Sequence, residues 1–260
     1  MTGLTRSLMM VLPFLLAAQG AFRTEAAGTG GGRGMASPGG RTHFSWTPES
    51  PAQGDVVRLE VALPAGMQVT GGTLAGHPVR FVPPSASLKG WTALAGIDAE
   101  GEPGSWEVLV WGQPRDGGPE FVVEGRIPVR SRDFGKEELT LPESKVRLSE
   151  ESLQRVRRES ETIASLWPLS TPERLWHGEF LIPVDGEPGS PFGVRRWINR
   201  EPRSFHTGSD IKAPAGTPVR AANRGRVILV GDFFFGGRSV FVDHGLGLYT
   251  MYFHLSEILV

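Results

Sequence analysis

The sequence predicts a mainly β protein, in which an N-terminal β-sandwich of immunoglobulin-like build is joined by an amphipathic helix to a second all-β unit. Three observations carry that expectation. Short runs of alternating apolar and polar residues, separated by glycine-rich turns, fill the first half of the chain. A charged stretch free of Gly and Pro with apolar residues at three- to four-residue steps follows. After it come dense Gly and Pro among short β-branched runs.

Before these elements, an apolar run from Leu8 to Ala18 follows Arg6 and precedes the small residues Gly20 and Ala21. This is the layout of a secretory signal peptide, expected over residues 1–21. The run is shorter than the roughly 20 apolar residues that cross a bilayer, so no stable membrane insertion is expected after cleavage. An exported protein, in the periplasm, the cell envelope or outside the cell, is the corresponding expectation. Residues 22–42 are rich in Gly and read as a flexible tether.

The β-sandwich module is expected over residues 43–131. Its strand candidates are Val56–Val61, Val79–Val82, Trp106–Trp111, Glu120–Glu124 and Arg126–Val129, with turns at Gly54, Gly66, Gly101 and Gly117. Trp91, Trp106 and Trp111 could stack on sugar rings or pack in the core. Residues 146–168 read as the linking helix, with Leu153, Val156, Ile163 and Trp167 on one face and Ser149 as its cap. The second β unit is expected over residues 175–260.

Composition narrows the chemistry. The 260 residues carry a formal net charge of -1, which excludes a phosphate-neutralising nucleic-acid binder. There is no cysteine, so any metal must be held by His, Asp or Glu.

His206 and Asp210 stand four residues apart, with Gly208 between them and Pro214 and Gly216 soon after, so a helix is disfavoured. An extended strand would separate them by about 13 Å, whereas two ligands of one zinc each lie about 2 Å from it. The backbone must bend, and Gly208 is expected to supply the bend. Alone, the pair is a weak signal that reads better as a solvated loop pair. If Tyr249 to Leu255 is a strand, Thr250, Tyr252 and His254 share one face toward a cleft, where Tyr252 is a candidate substrate contact. Arg195 and Arg196 fit either a substrate carboxylate or a surface ion pair.

Taken in order, Ser190-x-Phe-Gly-x-Arg195, His206-Thr-Gly-x-Asp210-Ile, Ala213-Pro-Ala-Gly-Thr-Pro-Val-x-Ala221, Gly225-x-Val227, His244-Gly-x-Gly-Leu248 and Tyr252-x-His254-Leu-Ser256 resemble the catalytic domain of the lysostaphin and LytM zinc endopeptidases. The resemblance covers roughly residues 179–260. It implies a lysostaphin-like β-sheet catalytic domain that hydrolyses peptide cross-links of bacterial peptidoglycan. It also implies His206 and Asp210 as ligands of Zn2+, and His254 as a catalytic histidine that holds and activates water. His244 falls at a turn histidine of that family.

One motif departs from the pattern. The family's third ligand comes from a later His-x-His, and none of the six histidines here forms one. The expectation is therefore that further chain follows Val260 and that these residues alone are inactive. The alternative is a non-catalytic LytM-like domain whose partner is another wall hydrolase.

Overall fold

The computed structural model describes residues 6–11, 42–85, 89–140, 142 and 146–260. These fall into two compact units, one within Phe14–Arg132 and the other joining Met1–Pro13 with Asp133–Val260. Most of the expected export segment and tether lies outside the described residues. Its described part, strand β1 (Arg6–Val11), belongs to the second unit.

The first unit is a sandwich of two antiparallel sheets. Strands β2 (His43–Thr47), β3 (Val56–Ala62), β4 (Met67–Leu74), β5 (His77–Pro78), β6 (Trp91–Gly96), β7 (Gly104–Pro114) and β8 (Phe121–Val129) assemble in the orders β2-β3-β6 and β5-β4-β7-β8. Alternation sets the faces. Val57, Leu59 and Val61 of β3 meet Val108, Val110, Val123 and Ile127 of the opposing sheet in one buried cluster. Trp91 and Trp106 pack against that cluster, as the core reading expects.

Two strand expectations change. Val79–Val82 forms no strand of its own, because Pro78, Pro83 and Pro84 remove N–H donors around it, leaving the bond from Val79 N to Gly72 O and the bridge Val82↔Thr92. The two runs flanking Gly125 merge into one strand. A side chain there would strike the Phe44 ring at 2.4 Å, so the glycine lets the facing aromatic in without ending β8.

In the second unit the elements are β9 (Lys136–Leu139), α1 (Glu150–Ala164), β10 (Glu187–Pro188), β11 (Arg195–Ile198), β12 (Glu201–Phe205), β13 (Gly208–Ala213), β14 (Arg226–Phe233), β15 (Gly237–Gly245) and β16 (Leu248–Tyr252). They form the sheets β1-β13-β10, β12-β11-β9 and β14-β15-β16. Strand β9 pairs parallel with β11, placing Glu137 beside Arg196.

Helix α1 is capped by Ser149, whose Oγ accepts from Ser152 N at 3.2 Å. None of its residues is fully buried. It docks on the β14–β15 hairpin through polar groups: Arg155 donates to Asp232 O at 2.9 Å, and Glu159 accepts from Phe234 N at 2.8 Å. The chain that follows is stitched to the end of β15. Trp167 lies edge-on to Tyr249, and Thr171 donates from both N and Oγ1 to the Asp243 carboxylate.

Candidate metal centre

His206 and Asp210 meet because the chain changes sheets between them. Strand β12 ends at Phe205 and pairs with β11, while β13 begins at Gly208 and pairs with β10. The bend falls on His206 and Thr207. Gly208 is already the first residue of β13 and has no positive φ, which corrects the expectation that it supplies the turn.

The preceding loop fixes both residues. His206 exchanges backbone bonds with Val194 and Gly193, and its ring Nδ1 lies 2.9 Å from Pro191 O. Asp210 N donates to Ser190 O at 2.9 Å, and Gly189 N donates to Asp210 O at 2.8 Å. The glycine of the Phe-Gly-x-Arg motif is obligatory here. Gly193 has φ +84, and a Cβ would strike the Phe134 ring at 2.0 Å.

Pro191 O can only accept, so the neutral His206 ring carries its proton on Nδ1. Nε2 then presents a lone pair. That atom is buried and has no hydrogen-bond partner. It lies 3.3 Å from Asp210 Oδ1, close enough for a charge contact but without hydrogen-bond geometry. Two acceptors face each other across a gap that calls for a cation. Ligand bonds of about 2.0–2.1 Å at a tetrahedral angle place donor atoms about 3.3–3.4 Å apart, so the pair fits two corners of a zinc site. Among the described residues no group of three His, Cys, Asp or Glu gathers around one point.

The other candidates separate. Arg195 is exposed. Arg196 is half-buried, with Nε donating to Glu137 Oε2 at 3.2 Å and Nη2 standing 3.6 Å from Asp210 Oδ2. Strand β16 stops at Tyr252, and His254 lies beyond it with φ 57, exposed, its N donating to Gly236 O at 2.7 Å. The shared face expected for Thr250, Tyr252 and His254 is thus broken. Tyr252 is 3 % exposed, and its hydroxyl accepts from Ala222 N at 2.6 Å, so its polar end points inward rather than to a ligand. Tyr252 and His254 nevertheless both line a cavity of about 290 Å³ bordered by Ile211, Pro214, Val219 and Leu255.

His244 sits in β15 and is buried, which corrects its expected place in a turn. Its Nδ1 lies 2.8 Å from Arg224 O and its Nε2 lies 2.8 Å from Thr250 Oγ1, which in turn is 2.9 Å from Tyr252 Oη. Every donor finds one acceptor if protons run from Ala222 N through Tyr252 and Thr250 to Nε2, and from Nδ1 to Arg224 O. Burial lowers the His244 pKa, opposed by its backbone bond to Arg224 and the neighbouring Asp243. Sequence reading missed Glu137, whose partner Arg196 is 59 residues away. It also missed this network. The signal for the latter was Ser239–His244, a strand with almost no polar alternation, as expected when both faces are covered.

Residues 204–260 match Peptidase family M23. The chain is 42% identical over 67 residues to the DD-carboxypeptidase/endopeptidase Mpg of Neisseria meningitidis, a stretch of 26% of this chain and 16% of the relative. It is 40% identical over 55 residues to the peptidoglycan DD-endopeptidase ShyA of Vibrio cholerae, 21% of this chain and 13% of the relative. The similarity to both curated relatives thus spans a small part of their length. A crystal structure of a candidate peptidase M23 from Pseudomonas aeruginosa superimposes with TM-score 0.58 at 32% identity, over 81% of this chain and 76% of that one.

Proposed function

Because the chain belongs to peptidase family M23, we propose that its second unit serves zinc-dependent hydrolysis of peptide cross-links in bacterial peptidoglycan, outside the cytoplasm. The single observation that carries this reading is the 3.3 Å gap between the partnerless Nε2 of His206 and Asp210 Oδ1. His206 and Asp210 would hold the metal. When bound, Zn2+ supplies Lewis-acid polarisation of a scissile carbonyl. His254, exposed and lining a cavity that neither His206 nor Asp210 lines, would hold a water and take its proton as it attacks. Arg195, also exposed, is the substrate-carboxylate contact in this reading. The peptidoglycan substrate and envelope location are supported by the similarity to the peptidoglycan DD-endopeptidase ShyA and by the apolar run at Leu8–Ala18. Among the described residues no helix is long and apolar enough to cross a membrane.

The experiment is a zinc determination on the purified chain and its His206→Ala variant, paired with release of soluble fragments from purified peptidoglycan. Zinc held by the parent and absent from the variant is the expected result. Equal zinc in both overturns the site. A second reading, a wall-binding or hydrolase-activating domain without chemistry of its own, is favoured because no third candidate ligand joins His206 and Asp210 among the described residues. Fragment release by an added wall hydrolase that quickens when the chain is present would decide for it.

A further inference from the structure

We propose that Arg196 is a positioning residue for Asp210, and that Glu137, brought from the segment ahead of the helix by β9, holds Arg196 in that role. This inference rests on the metal-binding reading of His206 and Asp210. Neither Glu137 nor Arg196 falls within residues 204–260, where the family match lies.

The geometry is a row of alternating charge. Glu137 Oε2 accepts from Arg196 Nε at 3.2 Å and from Ser190 Oγ at 3.0 Å. Arg196 Nη2 reaches Ser190 Oγ at 3.4 Å and stands 3.6 Å from Asp210 Oδ2. The other Asp210 oxygen, Oδ1, faces His206 Nε2. Because Arg196 occupies one side of the carboxylate, only Oδ1 is left to meet a cation, and the aspartate is presented as a single-oxygen ligand. A planar guanidinium does this better than an ammonium, since its fork fixes two directions at once. Ser190 links the row to the backbone, because its carbonyl also holds Asp210 N.

Parallel pairing of β9 with β11 makes Glu137 and Arg196 register neighbours, so the anchor is delivered by the backbone. Arg196 already faces two carboxylates, which favours an internal role over capture of a substrate carboxylate. Groups that orient a metal ligand in this way typically contribute 10- to 100-fold to metal affinity.

The test uses the full chain with cobalt(II) as a spectroscopic probe, its affinity measured by visible absorption under chelator competition. Variants are Arg196→Ala, Arg196→Lys, Glu137→Gln, the Arg196→Ala/Glu137→Gln pair and His206→Ala, each checked for folding by circular dichroism. Arg196→Ala is expected to weaken cobalt binding about 10- to 100-fold. Arg196→Lys recovers part of that loss, and Glu137→Gln loses less than Arg196→Ala. The double variant is no weaker than Arg196→Ala, because Glu137 acts through Arg196. Wild-type affinity in folded Arg196→Ala overturns the inference while leaving the metal site standing, and so do additive losses in the double variant. If Arg196→Ala does not fold, undiminished binding by both Arg196→Lys and Glu137→Gln overturns it equally. If the parent chain binds no cobalt, or His206→Ala binds as the parent does, the metal reading itself has failed and the inference falls with it.

Discussion

His206 and His244 are both buried, at 1 % and 0 % exposure, yet their surroundings differ in kind. Each turns Nδ1 to a backbone carbonyl, Pro191 O in one case and Arg224 O in the other. At His244 the remaining nitrogen meets a hydroxyl, and every polar atom in the network is used. At His206 the remaining nitrogen meets a carboxylate oxygen and stays unpaired. Burying a polar atom without a partner costs on the order of 1–3 kcal/mol. A fold that leaves such an atom in one histidine while satisfying its counterpart has reserved that atom for something from outside.

The strongest test of this contrast is Asp210→Asn. On the proposed metal reading, loss of this carboxylate is expected to lower zinc affinity more than 100-fold, beyond the range typical of second neighbours. In metal-free protein the effect reverses. The new amide can donate to Nε2, filling the gap, and stability should rise by about 1 kcal/mol. Thermal unfolding in excess chelator reads the second effect, and zinc titration reads the first. A loss of metal-free stability would mean that the carboxylate contributes more through its charge contact with Arg196 than the unfilled gap costs.

His244→Ala should do the opposite at the other histidine. It strands Arg224 O and Thr250 Oγ1 and opens a space beside Phe180, whose ring centroid lies 5.0 Å away. A loss of about 2–4 kcal/mol in urea unfolding is expected, with no route to stabilisation by metal. Stability unchanged by the substitution would show that the network is not part of the fold's support.

A smaller effect separates the sites by pH. Burial holds the folded-state pKa of His244 below its ordinary 6.5. Between those two values the unfolded chain binds the proton and the native chain does not, so stability rises with pH across that window and is lost as acid takes pH down through it. The melting temperature should therefore fall as pH drops below 6.5, and His244→Gln should flatten that slope. A slope of the same size in the variant would place the sensitivity on another group.

What the sequence disclosed follows from the range of each interaction. His206 and Asp210 were legible because their spacing is local and sits within an ordered series of motifs. The sandwich core was legible because alternation such as Val57, Leu59 and Val61 is a property of a single strand. The bend at His206 and Thr207 was not, since the chain turns there by changing sheets rather than by a glycine adopting a positive φ. Glu137 was invisible because nothing near it announces a parallel pairing with β11. Tyr252 illustrates a third limit. Alternation correctly put it on one face with Thr250, yet that face is covered by His244 and Ala222 rather than by a ligand.

The smallest effect concerns how His254, unlike either buried histidine, is held. His254 is exposed, and its backbone N is fastened to Gly236 O in the β14–β15 turn. Helix α1 grips the end of β14 and the same turn, through Arg155 to Asp232 O and Glu159 to Phe234 N. Arg155 and Glu159 also pair with each other at 2.6 Å, a helical i,i+4 contact worth only a few tenths of a kcal/mol by itself. Glu159→Ala removes the acceptor for Phe234 N, so a stability loss of about 1 kcal/mol is expected, whereas Glu159→Gln keeps an acceptor and should lose less. The informative reading is local. Hydrogen exchange should quicken at Phe234 and at His254 in Glu159→Ala, with His206 and Asp210 unaffected, because those two are fixed by the Gly189–Val194 loop. Exchange that quickens at Phe234 alone would show that the turn does not transmit the helix's grip to His254.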